Sequence, residues 1–246
     1  MELLTILILI LSCPLIVTSE DYHYMAYVIQ WVPTYCGRVN CKADIMQRPL
    51  RFTLHGLWPG NSTGGSLKCN PPPHGTEDKV KEVWKNSKTL EDNLHKYWPS
   101  LSSDGWTDEE FWMHEWEAHG YCTKQTLPAA DYFRAAIVAN VDKLLARVRN
   151  TFMTANMVGL GDQAYDKQHL IIALHNARGL PPDPYISCIP KNSSHVFLKE
   201  IHFCLDKTKL QRFIPCPTSQ DTRGCGEGNI IIPSRAIYGS LLQAGG

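Results

Sequence analysis

The run His114-Glu115-Trp116-Glu117-Ala118-His119-Gly120-Tyr121-Cys122 sets two imidazoles and two carboxylates within six residues. An imidazole titrates near pH 6.5, so one can be neutral and accept a proton while another is charged and gives one. That is the requirement of general acid–base catalysis. The preceding Thr107-Asp108-Glu109-Glu110 has the form of a capping box, which predicts a helix starting near Asp108. On such a helix His114, Glu115, Ala118 and His119 fall within an arc of roughly 140°, and Trp112 and Trp116 lie beyond it as core anchors. Gly120 lets the chain leave the helix or pass close to something. Three readings compete for this pattern. A solvated face with satisfied histidines is the usual fate of a charged helix. A zinc site of the His-Glu-x-x-His type needs histidines four apart, and these are five apart and diverge by roughly 140°. Metal-free acid–base chemistry remains, and it needs a second group from another part of the chain.

Arg51-Phe52-Thr53-Leu54-His55-Gly56-Leu57-Trp58-Pro59 supplies a candidate. Phe52, Leu54 and Leu57 with Thr53 predict a buried strand, ended by Gly56 and Pro59. A histidine inside an apolar strand is more often a hydrogen-bonded core residue than a catalyst, so His55 draws its weight from the helix.

Taken together, the two stretches resemble the active-site segments of the ribonuclease T2 family, secreted or vacuolar acid endoribonucleases that include the plant S-RNases and S-like RNases. Phe52 to Pro59 is similar to the first segment and His114 to Cys122 to the second. Gln30-Trp31 and Tyr97-Trp98-Pro99-Ser100-Leu101 add to the likeness, which spans nearly the whole mature chain. The resemblance implies a single α+β domain with a central antiparallel sheet. It implies metal-independent cleavage of single-stranded RNA by the 2′-OH, through a 2′,3′-cyclic phosphate. His119 would be the general base and His55 the general acid. His114 would hold a phosphate oxygen, and Glu115 would hydrogen-bond the phosphorane or orient a histidine. Trp58 would shape the cleft. Gln30, Ser100, Leu101 and Phe111 match positions that contact bases in some members; core packing is the competing role for Trp58 and Phe111. No metal or cofactor is implied. DNA lacks the 2′-OH and would be bound but not cut.

Two departures stand out. Ala118 occupies a position where the family usually has Lys, and Val32-Pro33 follows Gln30-Trp31 where Pro-Gly is usual. Ala118 favours an alternative, a catalytically weak or inactive extracellular recognition or storage protein. The intact His55, His114, Glu115 and His119 oppose it.

Composition narrows the class. At 246 residues, with 24 basic and 24 acidic side chains, the chain has a formal net charge of zero and is unlike a polybasic nucleic-acid binder. An enzyme that holds RNA through a few groups in a cleft is compatible with it. Residues 3–17 are almost wholly apolar and too short for a membrane span. They predict a signal peptide cut after Ser19, leaving a catalytic domain over 20–246. Glu2, with no Lys or Arg beside it, keeps a signal anchor as the alternative. The C-terminal Leu242 to Gly246 carries no recognisable retention signal. The expected product is a monomer with no stable membrane association after cleavage, either extracellular or in a vacuole or lysosome.

Of nine cysteines, Cys13 lies in the apolar segment, and the even remainder reads as disulfides in an exported chain. The residues do not choose the pairing. The resemblance implies Cys36–Cys41, Cys69–Cys122, Cys188–Cys225 and Cys204–Cys216. A further bridge found in plant-type members would fall at Lys42 and Ser103, so both of its ends are missing. Asn61 and Asn192 head glycosylation sequons. Periodicity predicts strands at Tyr22–Trp31, Val196–Leu205, Phe213–Cys216 and Asn229–Ile232. It predicts one or two helices over Glu77–Trp98, a single helix over Asp131–Arg149, and one over Lys167–Arg178 closed by Gly179.

Overall fold

The structure is a computed structural model. It describes residues 22–234 apart from 49, 63–66, 71, 139, 160–162, 193–194, 218–221 and 227. The expected signal segment and the C-terminal residues from 235 lie outside the described residues.

The chain begins with strand β1 (Tyr24–Trp31), short helices α1 (Val32–Cys36) and α2 (Ala43–Gln47), and strand β2 (Phe52–Gly60). Helices α3 (Glu77–Lys85), α4 (Lys88–Tyr97) and α5 (Asp108–Glu115) follow. A π-helical turn at Trp116–Gly120, a 3-10 turn at Tyr121–Thr123, and helices α6 (Ala129–Ala136) and α7 (Val141–Thr154) come next. The second half holds β3 (Val158–Gly159), β4 (Ala164–Tyr165), α8 (Lys167–Asn176), β5 (Tyr185–Pro190), β6 (His195–Asp206), β7 (Phe213–Ile214), β8 (Thr222–Arg223) and β9 (Asn229–Pro233).

The four long strands form the antiparallel centre in the order β2-β1-β6-β5, as the α+β reading expects. β8 joins β5 and β9 joins β6 in parallel, so the complete sheet is mixed. One face carries Tyr27, Ile29, Leu54, Leu57, Leu198, Ile201 and Phe203. These pack under Trp84, Leu94, Trp112, Tyr132, Phe133 and Phe152 from the helices, in one apolar cluster. Burying side chains of this size supplies about 1.5–3 kcal/mol each. The opposite face of the sheet carries Gln30, Glu200 and His202 beside a small cluster that includes Val28, Tyr185 and Cys204. The helices crowd one face, so the polar groups of the central strands collect on the other.

Four expectations are corrected. Gly56 and Pro59 do not end the strand, because β2 runs through to Gly60 and lies at the end of the strand path, where a proline is tolerated. The single helix over Asp131–Arg149 is two, α6 and α7. Asn140 between them adopts a left-handed φ of 62°, which asparagine accepts more readily than most residues. The Tyr27 hydroxyl donates to the Ala136 carbonyl at 3.0 Å, satisfying the end of α6. The catalytic-type helix is α-helical only as far as Glu115. The strand expected at Phe213–Cys216 covers only Phe213–Ile214.

Cys36 bonds to Cys41, Cys69 to Cys122, Cys188 to Cys225 and Cys204 to Cys216, the four pairs that the resemblance implies. Lys42 and Ser103 lie on neighbouring segments: Lys42 N–H donates to the Leu101 carbonyl and Ser103 N–H to that of Asn40, both at 2.9 Å. Lys42 instead reaches Asp108 at 3.1 Å, tying its segment to the start of α5. Asn192 is exposed and Asn61 partly buried just after β2. No helix among the described residues is long and apolar enough to cross a membrane.

Candidate active site

His55 owes its position to a bulge. β1 pairs Val28 with Gly56 and Ile29 with Leu54, so His55 is the extra residue on β2. The bulge shifts the alternation, which lets Leu54 and Leu57 both enter the core although they are three apart. It also turns His55 out of the core: its side chain keeps 22% of its surface exposed. The β5–β6 ladder has a second bulge, pairing Ser187 with Glu200 and Cys188 with Leu198, so Lys199 is the extra residue there. Glu200 points from β6 toward His55.

The Nδ1–H of His55 donates to Oε1 of Glu200 at 2.6 Å. Glu200 is buried and fully engaged. The Ser187 hydroxyl donates to its Oε2 at 2.8 Å, His202 Nε2 lies at 3.2 Å, and Lys199 Nζ is 3.1 Å from Oε1. His202, itself buried, stacks on Tyr185 at 4.3 Å. Burial alone would raise the Glu200 carboxyl, but the hydrogen bonds and charges of His202 and His55 outweigh it and hold it well below the usual range. His55 shows the complement: burial opposes its charge, yet the Glu200 hydrogen bond and carboxylate lift it above its ordinary value.

The capping box of α5 forms as read, with Thr107 Oγ1 accepting from Glu110 N–H and Glu110 Oε2 accepting from Thr107 N–H. After Glu115 the chain widens into the π turn, closed by a Tyr121 N–H bond to the Trp116 carbonyl five residues back. A wider turn rotates the chain less per residue, so it narrows the divergence of His114 and His119 below the α-helical value. Gly120 is needed here because a Cβ would collide with the Trp116 ring.

Glu115 is 2% exposed and accepts from Trp58 Nε1–H at 2.7 Å. Its Oε1 lies 3.9 Å from His55 Nε2. A Cβ on Gly56 would strike both the Glu115 carboxylate and the Trp58 indole, so the strand glycine permits this contact. Burial lifts the Glu115 carboxyl to about 7, against the opposing effects of His55 and the Trp58 hydrogen bond. His119 packs against Trp58 with ring centroids 4.9 Å apart. Burial pushes its imidazole down to about 4, and the charges of His55, His114 and Lys68 act the same way. His114 is exposed and packs at a tilt against Trp106, with ring centroids 4.4 Å apart; burial of part of its ring lowers it, and His55 adds to that.

A cavity of about 340 Å³ lies over these groups. Its walls include His55, His114, Glu115, Gln30, Ser100, Leu101 and Phe111. The four residues matched to base contacts are thus on one cavity wall with three of the four catalytic-type residues. Phe111 lies parallel to His55 at 6.1 Å. Gln30, Ser100 and Leu101 are buried to within a few per cent and present only an edge. His119 and Trp58 stand beside the cavity rather than in its wall. Trp98 braces the backbone at His55: its Nε1–H donates to the His55 carbonyl and its own carbonyl accepts from Trp112 Nε1–H, both at 2.7 Å.

The sequence reading missed Glu200, Ser187, His202, Tyr35 and Trp106. The available signal was Lys199-Glu200-Ile201-His202, charged and titratable residues two apart inside an otherwise apolar strand.

The profile of the Ribonuclease T2 family matches residues 22–216. Among known proteins, the chain is 30% identical to Ribonuclease 3 of Arabidopsis thaliana, over 81% of this chain and 85% of that protein. It is 31% identical to the "Ribonuclease-like storage protein" of Panax ginseng, over 89% and 86%. Among solved structures, that of RNase NT in complex with 5′-AMP superposes with a TM-score of 0.66 at 27% identity, covering 87% of this chain and 99% of that one. With a family profile that spans most of its length and a fold shared with a solved ribonuclease, the chain belongs to the ribonuclease T2 family.

Proposed function

We propose that the protein is a metal-independent endoribonuclease that cleaves single-stranded RNA by transesterification. The observation that carries this reading is the opposed environment of two imidazoles that both pack against Trp58. His119 is held toward its neutral form and suits a base; His55, on its buried carboxylate, is held toward its charged form and suits an acid. In the first step His119 takes the proton of the 2′-OH as that oxygen attacks phosphorus. The P–O5′ bond breaks, and the leaving oxygen takes a proton from His55. Nδ1 of His55 is committed to Glu200, so Nε2 is the donor. The 2′,3′-cyclic phosphate is then opened by water with the two roles reversed. Glu115, lifted to about 7, carries its proton under mildly acidic conditions and can donate it to a non-bridging oxygen. His114, at the cavity mouth, can hold another. The four disulfides support an oxidising, exported setting.

Mass spectrometry of early products from a short RNA tests this reading. A 2′,3′-cyclic phosphate and a 5′-hydroxyl are expected, with no loss of rate in EDTA and no cleavage of the matching DNA. Products with a 3′-hydroxyl and 5′-phosphate overturn the mechanism. A second reading, a catalytically weak storage or recognition protein, draws on Ala118 and on the likeness to the storage protein of Panax ginseng. An inert protein in the same assay would favour it.

A further inference from the structure

Beside the cavity over His55 lies a second one, of about 260 Å³, and Gln30 and Tyr35 line both. Two cations, Arg38 and Lys199, stand in its wall, with Ile189 as an apolar surface and no carboxylate among the described lining residues. Arg38 is exposed, in a loop that the Cys36–Cys41 bond closes over a separation of 5 residues. Its N–H donates to the Tyr35 carbonyl at 3.0 Å, so cation and ring are held on one short segment. Lys199 is the extra residue of the β5–β6 bulge, and its side chain is 44% exposed. A ring and two cations lining one cavity match the way proteins hold single-stranded nucleic acid, by stacking a base and pairing its phosphate.

The proposed acid and base give the strand a direction. The 2′-OH belongs to the nucleotide before the scissile phosphate, and the departing 5′-oxygen to the one after it. His119 lies outside the first cavity and His55 lines it. The first cavity therefore takes the downstream nucleoside, and the second continues the path. We infer that the second cavity is a subsite for the next nucleotide downstream, with Tyr35 against its base and Arg38 and Lys199 on the phosphate joining the two nucleosides. This rests on His55 being the acid. A loop pre-set by a disulfide loses little freedom on binding, which favours Arg38 as the phosphate anchor.

The test uses chains of deoxyribose with one ribose at the scissile position, so that only one bond can break. A two-nucleotide substrate ends at the first cavity; a three-nucleotide substrate adds one residue at the 3′ end. The third nucleotide is expected to raise kcat/KM about tenfold, the scale of one stacked base. Arg38→Ala should lose most of that gain and cleave the two-nucleotide substrate at the wild-type rate. Lys199→Ala is less diagnostic, because Lys199 also touches Glu200. No gain from the third nucleotide in the wild type, or a gain that survives Arg38→Ala, overturns the subsite. Binding of the all-deoxy di- and trinucleotides, followed by tryptophan fluorescence at several salt concentrations, reads the subsite without turnover. The trinucleotide should bind more tightly, and Arg38→Ala should lower its salt slope by about 0.7, the value for one phosphate contact on a single strand. Tighter trinucleotide binding without any cleavage would sink the catalytic reading alone. Equal binding of the two would sink the subsite alone.

Discussion

The Nδ1 of His55 lies 2.6 Å from Oε1 of Glu200, and a β-bulge sets each partner in place. The contact joins residues 145 positions apart and leaves Nε2 of the imidazole facing the cavity side and Glu115. A buried carboxylate with four partners is a rigid support, so the ring it holds keeps one orientation and one tautomer.

We predict a bell-shaped pH dependence of kcat/KM, with an acid limb near 4 from His119 and a basic limb above the ordinary histidine value from His55. Glu200→Gln keeps the shape but removes the charge, so burial should then dominate and pull the basic limb down. At pH 7 the rate should fall by roughly 10–100-fold, and near pH 5 by much less. Stability follows the same linkage. The raised value of His55 means that its pairing supports folding at low pH and is lost as pH rises through that value. Glu200, depressed, gives support that is lost as pH falls through its own. A uniform drop in rate at every pH, with no movement of the limb, would reduce Glu200 to a structural role.

Glu115 should cost stability at neutral pH. Its carboxyl sits at about 7 in the fold against an ordinary 4.5, so the folded state binds this proton more tightly than the unfolded chain does. The benefit is complete at low pH and disappears between 4.5 and about 7. Glu115→Gln can still accept the Trp58 N–H and has nothing to ionise. It should match the wild type in denaturant unfolding at pH 4 and exceed it at pH 8, by on the order of 1–3 kcal/mol. Turnover should fall, since the proton donor to the phosphate is gone. Equal stability of the two proteins at both pH values would show that Glu115 ionises in the fold at its ordinary value.

What the sequence made legible were residue types and local spacing. His114, Glu115 and His119 could be picked out because two imidazoles and a carboxylate on one short helix are unusual, and the Thr107 capping box fixed where that helix starts. The geometry that makes the site was hidden because bulges break the alternation used to find strands. Phe52, Leu54 and Leu57 read as a strand that stops at Gly56, when the shift from a spacing of two to three marks the bulge at His55. Leu198 and Ile201 carry the same shift around Lys199. Glu200 is not legible in the sequence because its partner is remote, and no local pattern reports a sheet neighbour. The break at Asn140 was invisible because Phe133, Ile137 and Val141 keep helical spacing across it. The disulfide pairing came from family resemblance alone.

The last prediction concerns the ammonium that Ala118 lacks. Ala118 is half-buried in the π turn, and its carbonyl accepts the Cys69 N–H at 2.9 Å. With the Cys69–Cys122 bond this fixes Lys68 beside the turn, where its charge acts on His119. Arg51 faces the charges of Arg48 and Asp44 and its Nε is buried, and Lys199 lies against Glu200 at 3.1 Å. Lys68 is therefore expected to supply the positive charge at the phosphate that a lysine at position 118 would give. Single-turnover cleavage of a defined RNA should slow by roughly 10–100-fold in Lys68→Ala, somewhat less than the loss of a well-fixed oxyanion donor. The acid limb should also move up, since a cation that held His119 neutral has gone. Ala118→Lys should restore the rate in the Lys68→Ala background and add little to the wild type. If Lys68→Ala cleaves normally and Ala118→Lys alone gives a large gain, the position is simply unfilled and the natural protein is a slow catalyst. If every variant is inert, Ala118 marks a chain that has left catalysis.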